Sequence, residues 1–142
     1  MSYVNSDAAM FQYCPAAAME GVITLQANKM YDWTDDPAIA EHHRIMSEYG
    51  NLPPGNFTVV GQVAGELMVE ALSRTCDNLT REGLMDAVHS FENYQSELSL
   101  PGVTITLSET DHLSFEAMRM LRATLVDGKG KWEYFGDLIS FE

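Results

Sequence analysis

Apolar positions in this chain change their spacing several times, and each change marks an element. Val60, Val63, Ala64, Leu67, Met68, Ala71 and Leu72 recur at i, i+3, i+4, i+7 and i+8, the spacing of a broad helix face. They predict a helix over 57–75, buried on its Val60, Val63, Leu67, Met68 and Leu72 stripe. Gly61 and Gly65 lie four apart on an adjoining line. Each costs a helix about 1 kcal/mol relative to alanine, which predicts close backbone packing there. An earlier helix is predicted over 36–49. Asp35-Asp36 supplies a cap, Pro37 fits the first turn without losing a needed N–H, and Gly50 supplies the stop. Ile39, His42, Ile45, Met46 and Tyr49 fall on or near one face. Thr80 caps a third helix, over 80–91, with Leu84, Met85, Ala87, Val88 and Phe91 inward.

After Pro101-Gly102 the period becomes two. Val103, Ile105 and Leu107 alternate with Thr104 and Thr106, which predicts a half-buried strand over 103–107. Further strands are predicted over 117–126 and 131–139, joined by a hairpin turn at Asp127-Gly128-Lys129-Gly130. A short buried strand over 21–26 follows Gly21. The order is one strand, three helices, then three strands expected to pair only locally. That order is unusual for a self-contained α/β domain, and it reads as part of a larger fold.

Composition narrows the function. The 142 residues are 46% hydrophobic and 20% charged, with net charge −13. Eight Lys and Arg scattered along the chain provide no basic stripe for phosphates, so no nucleic-acid partner is expected. No apolar run approaches the roughly 20 residues of a membrane span, and no membrane insertion is expected. The first residues lack the basic start and apolar core of a signal peptide. Cys14 and Cys76 form no C-x-x-C motif, and either one disulfide or two thiols fits them.

The groups with chemical potential read first as structure. His42 and His43 are adjacent, so on a helix they diverge by about 100° and cannot share a metal. Asp111-His112 falls in a turn, without a nucleophile beside it. Gly128-x-Gly130 lies in a hairpin rather than before a helix that could hold a phosphate. Asn56-Phe57-Thr58 and Asn78-Leu79-Thr80 match the glycosylation acceptor pattern and also read as helix caps. Met68 and Met85 are placed on helix core faces. No cofactor and no metal is expected, and no catalytic constellation is found.

Six stretches remain, in order: Met19-Glu20-Gly21-Val22-Ile23-Thr24; the helix from Gly61 to Arg74; Asp77-Asn78-Leu79-Thr80-Arg81-Glu82-Gly83-Leu84; Leu100-Pro101-Gly102-Val103-Thr104-Ile105; Thr110-Asp111-His112; and the hairpin Val126 to Phe135 with Trp132. Together they resemble the closing region of the type I periplasmic solute-binding proteins, the branched-chain amino-acid-binding family of ABC transporters. The resemblance implies an α/β fold, the C-terminal portion of a two-lobe Venus-flytrap clamp with three crossovers. Residues 1 to about 55 would end the second lobe, about 56–100 would return helices to the first, and about 101–142 would supply the last crossover strands and hairpin. The first half of such a protein, its ligand loops and its secretion signal are absent from these residues.

By position, the loop Ser2-Tyr3-Val4-Asn5-Ser6 would face the ligand. Tyr3 offers an aromatic face with a polar tip, and Asn5 and Ser6 offer hydrogen bonds. Equally, Tyr3 packs and Asn5-Ser6-Asp7 caps a helix. Lys29, Tyr31 and Trp33 would lie near the cleft rim. The implied role is extracytoplasmic capture of an amino acid, amide or small organic acid for delivery to an ABC permease, without enzymatic chemistry. Alternatives are a ligand-sensing regulator on the same fold, or a small enzyme using Asp111 and His112. Apolar faces left uncovered would let the chain self-associate.

Overall fold

The computed structural model describes residues 3–141 and, for side chains, residues 5–141. A 3-10 turn over Tyr3–Ser6 leads into two one-turn helices, α1 (Met10–Tyr13) and α2 (Ala16–Met19), and then strand β1 (Ile23–Gln26). Helices α3 (Pro37–Tyr49), α4 (Asn56–Thr75) and α5 (Arg81–His89) follow, and the hairpin β2 (Ala117–Val126) and β3 (Lys129–Ser140) closes the chain. The 3-10 turn and α2 carry no periodic pattern and were not anticipated, whereas a helix after Asn5-Ser6-Asp7 was one of the two readings of that run.

The termini of the long helices follow the capping residues. Asp36 accepts hydrogen bonds from the N–H groups of Ala38 and Ile39 at 3.0 and 3.3 Å, with Pro37 behind it. Thr80 accepts from the Gly83 N–H at 3.0 Å. Such caps satisfy donors that the helix itself leaves orphaned. At the hairpin, Asp127 and Gly128 both take positive φ, 51° and 75°, which matches the right-handed twist of the strands they join. Gly130 has a different reason. A Cβ there would lie 2.1 Å from the Phe11 ring, and Phe11 in turn packs on Trp132 with ring centroids 5.3 Å apart.

The sheet corrects one expectation. The last strands do not pair only locally: β1 pairs antiparallel with β2, Thr24 opposite Leu121, so the order is β1-β2-β3. The stretch 103–107 forms no strand. Val103 and Ile105 are fully buried, as their alternation requires, but the backbone makes only an isolated bridge from Ile105 to Tyr94. Alternation reports which side chains are buried and says nothing of whether a second strand is present to pair with.

Two cores result. Met30, Leu121, Ala123 and Trp132 form one, against the sheet, joined by Phe11 and Met19. Ile39, Val59, Val63 and Leu98 form the other, among the helices. Ala27, Leu100 and Val103 lie between, and Phe115 and Tyr134 each touch this middle cluster and one of the cores.

The α4 stripe is only partly as expected. Val63 is buried and Leu67 packs at the edge of the helix core, but Met68 and Leu72 are 50% and 44% exposed. The buried side is turned toward Val59, Val63 and Ala71. Among the described residues a Cβ on Gly61 or Gly65 would meet nothing within 4 Å, so no close packing there explains them. Met85 is likewise 45% exposed rather than in the core. Replacing Leu121 with Ala should cost about 2–5 kcal/mol in chemical denaturation, whereas Met85→Ala should stay within about 0.5 kcal/mol. Equal losses would mean that the burial pattern is wrong.

Candidate functional site

The polypeptide at the end of the 3-10 turn is held by its polar groups. Ser6 is buried: its hydroxyl accepts from Gln26 Nε2 at 2.9 Å, and its carbonyl accepts from Asn56 Nδ2 at 2.6 Å. Asp7 is buried beside it. One carboxylate oxygen accepts from the Ala9 N–H at 2.8 Å, the other from the Phe57 N–H at 3.0 Å, and its carbonyl accepts from Trp132 Nε1 at 3.0 Å. Asn56 completes the junction by accepting from the Tyr31 N–H at 3.1 Å. Burial of Asn56 makes its acceptor pattern structural.

Of the expected ligand residues, Ser2 and the side chain of Tyr3 lie outside the described residues. Asn5 is exposed, and Ser6 is committed to the junction. Tyr31 packs against the helix core and lines a cavity of about 300 Å3 with Asp7, Gln12, Pro54, Gly55 and Thr58. Burial holds its hydroxyl above the usual tyrosine range, and the negative charges of Asp32 and Asp7 add to this. The hydroxyl therefore stays protonated and able to donate. Trp33 is partly exposed and meets Tyr134 edge-on, with centroids 5.5 Å apart.

Lys29 is not in this cavity. It lines a separate one of about 510 Å3 with Asp36, Ser96, Ser99 and Pro101, and its ammonium lies 2.7 Å from Asp36. Burial would raise the Asp36 pKa, but hydrogen bonds from Lys29 and from the Ile39 and Ala38 N–H groups outweigh it and hold the carboxyl below its ordinary value. The structure thus brings Tyr31 together with the segment around Ser6 and leaves Lys29 apart. Asp7 and Asn56, the two residues that organise the region, were missed as a pair. Asp7 carried a faint signal as part of a helix-capping run, but its partners lie 50 and 125 residues away.

The histidines and the turn acid are also bonded. His42 is buried, its Nδ1 donating to Gln62 Oε1 at 2.7 Å and its Nε2 lying 2.9 Å from Thr58 Oγ1. His43 Nε2 donates to the Tyr31 carbonyl at 2.7 Å. Asp111 accepts from the Leu113 N–H at 2.9 Å, which is turn chemistry, and His112 stacks on His89 with centroids 5.4 Å apart. Cys14 and Cys76 are both free, so the disulfide alternative is not taken. Among the described residues no group of three or more His, Cys, Asp or Glu could hold a metal ion, and no helix is long and apolar enough to cross a membrane.

No protein-family model matches the sequence, and no curated protein does. Among solved structures the chain is similar to an ABC transporter substrate-binding protein from Sphaerobacter thermophilus. The TM-score is 0.61 at 16% identity, over 98% of this chain and 36% of that one. The chain therefore spans little more than a third of that protein's length and shares its fold there. The likeness reaches the substrate-binding-protein fold and does not extend to the branched-chain family.

Two measurements check the site. Asn56→Ala strands the Ser6 carbonyl and the Tyr31 N–H without partners, and each buried unsatisfied group costs about 1–3 kcal/mol. Denaturation should show a loss in that range or above it. Asp36→Asn keeps a competent cap but loses the ion pair with Lys29. Because the Asp36 pKa is depressed in the fold, its contribution is present above the unfolded value of about 3.9 and fades as pH falls through the folded one. The variant's Tm should fall below that of the parent at neutral pH and converge with it in acid. A constant gap across that range would rule out the ion pair as the cause.

Proposed function

We propose that this chain is the closing part of a substrate-binding component of an ABC transporter, acting outside the cytoplasm and presenting its ligand to a permease. The observation that carries this reading is the shared fold over 98% of the chain. A second feature supports it. The chain passes twice between its two cores, through residues 27–36 and 108–116, with the Ala27, Leu100, Val103 cluster between them. In a two-lobe clamp such passages are crossovers, the sheet core being the end of the second lobe and the helix core part of the first.

The ligand wall in this reading is the Tyr31 cavity, which Asp7 also lines. A phenol held in its protonated form, an exposed amide at Gln12 and backbone at Gly55 suit a small polar ligand such as an amino acid, an amide or a short organic acid. Lys29, in its own cavity, serves the α3 N-terminus and takes no part.

In a clamp, affinity comes from contacts made by both walls after closure excludes water. One wall forfeits several hydrogen bonds at about 0.5–1.5 kcal/mol each, and every 1.4 kcal/mol is tenfold in affinity. Calorimetric titration of amino acids, their amides and short organic acids into these 142 residues should therefore give no saturable heat. Supplying the opposite wall should restore binding, and Tyr31→Phe should then weaken it about tenfold. Saturable micromolar binding by the chain alone would sink the two-wall reading.

A further inference from the structure

Helix α4 has two apolar faces and uses only one. Val59, Val63 and Ala71 are buried. On the other side Phe57, Gly61, Ala64, Gly65, Met68 and Leu72 form a single stripe at helical spacing, and every one of them is exposed. Phe57, Met68 and Leu72 expose 45%, 50% and 44% of their surface, and the two glycines face open space. Contiguous apolar surface of this kind marks an interface. At about 100° per residue, the charged residues Glu66, Glu70 and Arg74 all fall on the far side of the helix. In a chain of net charge −13, this stripe is a neutral seam.

The pattern is also self-complementary. About the point between Ala64 and Gly65, an antiparallel second helix of the same sequence sets Phe57 opposite Leu72, Gly61 opposite Met68, and Ala64 opposite Gly65. Each large side chain at the Gly61–Met68 level meets a gap, which lets helix axes approach to about 8 Å. Phe57 then arrives at the Leu72 end of the other helix. There a cavity of about 270 Å3 opens among Leu72, Thr75, Leu79, Thr80, Arg81 and Leu84. A pocket that receives an aromatic ring at each end is the usual anchor of a small interface.

We propose that this chain forms a two-fold dimer in which α4 pairs antiparallel with α4 of a second copy. The contact is isologous, so it closes at two copies and does not propagate. The inference goes beyond the transport reading and needs only this helix. A covering element from elsewhere would have no need of the mirror pattern around Ala64 and Gly65.

Sedimentation of the chain over a range of concentrations should show monomer and dimer in exchange. Gly61→Leu places its side chain in open space in the single chain and removes a helix-weakening glycine. It should leave the monomer's Tm unchanged or higher while weakening the dimer at least tenfold. In a Cys14→Ser, Cys76→Ser background, Ala64→Cys should form a disulfide between copies under oxidation, and Ser73→Cys should not. A chain that stays monomeric up to its solubility limit overturns the proposal. So does a dimer that tolerates Gly61→Leu, or one that cross-links equally through Ser73→Cys. Solute titrations read a different property, so failure of the transport reading would not alter these results.

Discussion

The arrangement depends on one buried carboxylate. The first turn of α4 has orphan N–H groups, and its preceding residue, Gly55, has no side chain to satisfy them. Asp7 supplies the oxygen instead, from 50 residues away. A side chain at position 55 would press on it, since a Cβ there would lie 3.2 Å from Asp7 Oδ2. The cap has been moved off the helix and onto another element. The start of α4 is therefore completed only when the chain has folded back on itself. The same residue holds Trp132 through its carbonyl, so the helix core and the sheet core are tied at one point. Asn56 and Gln26 reinforce the tie through Ser6, and each contributes a side-chain amide whose alternatives would be unpaired and buried.

Much of the fold was legible because much of it is local. Asp36 and Thr80 cap within three residues, and the Asp127-Gly128 turn needs only two residues of positive φ. Helix ranges and the hairpin followed from these signals. Long-range features had no such signal. Pairing of β1 with β2 joins Thr24 to Leu121, and neither strand's pattern names its partner. The 103–107 stretch shows the converse: its alternation correctly placed Val103 and Ile105 inside, yet a ladder needs a second strand as well as a pattern. On α4 the periodicity was real but two-sided. With apolar residues on both faces, spacing alone could not choose which one the rest of the chain would cover.

The site was less legible than the fold, for the same reason. The resemblance put Tyr31 near a cleft rim, and the fold sets it beside the segment that contains Ser6, through Asn56. Ser6 and Lys29 had the right chemistry but spend it internally, one on Gln26 and the other on Asp36. A hydroxyl or an ammonium is equally suited to a ligand and to a neighbouring side chain, and only the folded arrangement shows which it meets. Asp7 and Asn56 are the reverse case. Their types are ordinary for turns and helix starts, and their importance comes entirely from partners far along the chain.

The two faces of α4 carry a constraint of their own. Domains are stable when each apolar face of a helix lies against another layer. Here α1 and α2 lie beside the sheet, while α3 and α4 gather around the Ile39, Val59, Leu98 core and α5 lies against α4. That leaves α4 as the outer element of a layer while its composition is that of an inner one. Polar substitution would have been the simple remedy, and the sequence does not take it: at six successive stripe positions there is no charge and no hydrogen-bonding side chain. Two of those six are glycines, which weaken the helix and gain no contact among the described residues to offset that. Apolar ridges kept on an exposed face, with gaps kept between them, are the features of a surface shaped to another surface. The helix has the composition of a middle layer, and the second copy's α4 is the neighbour that its outer face fits.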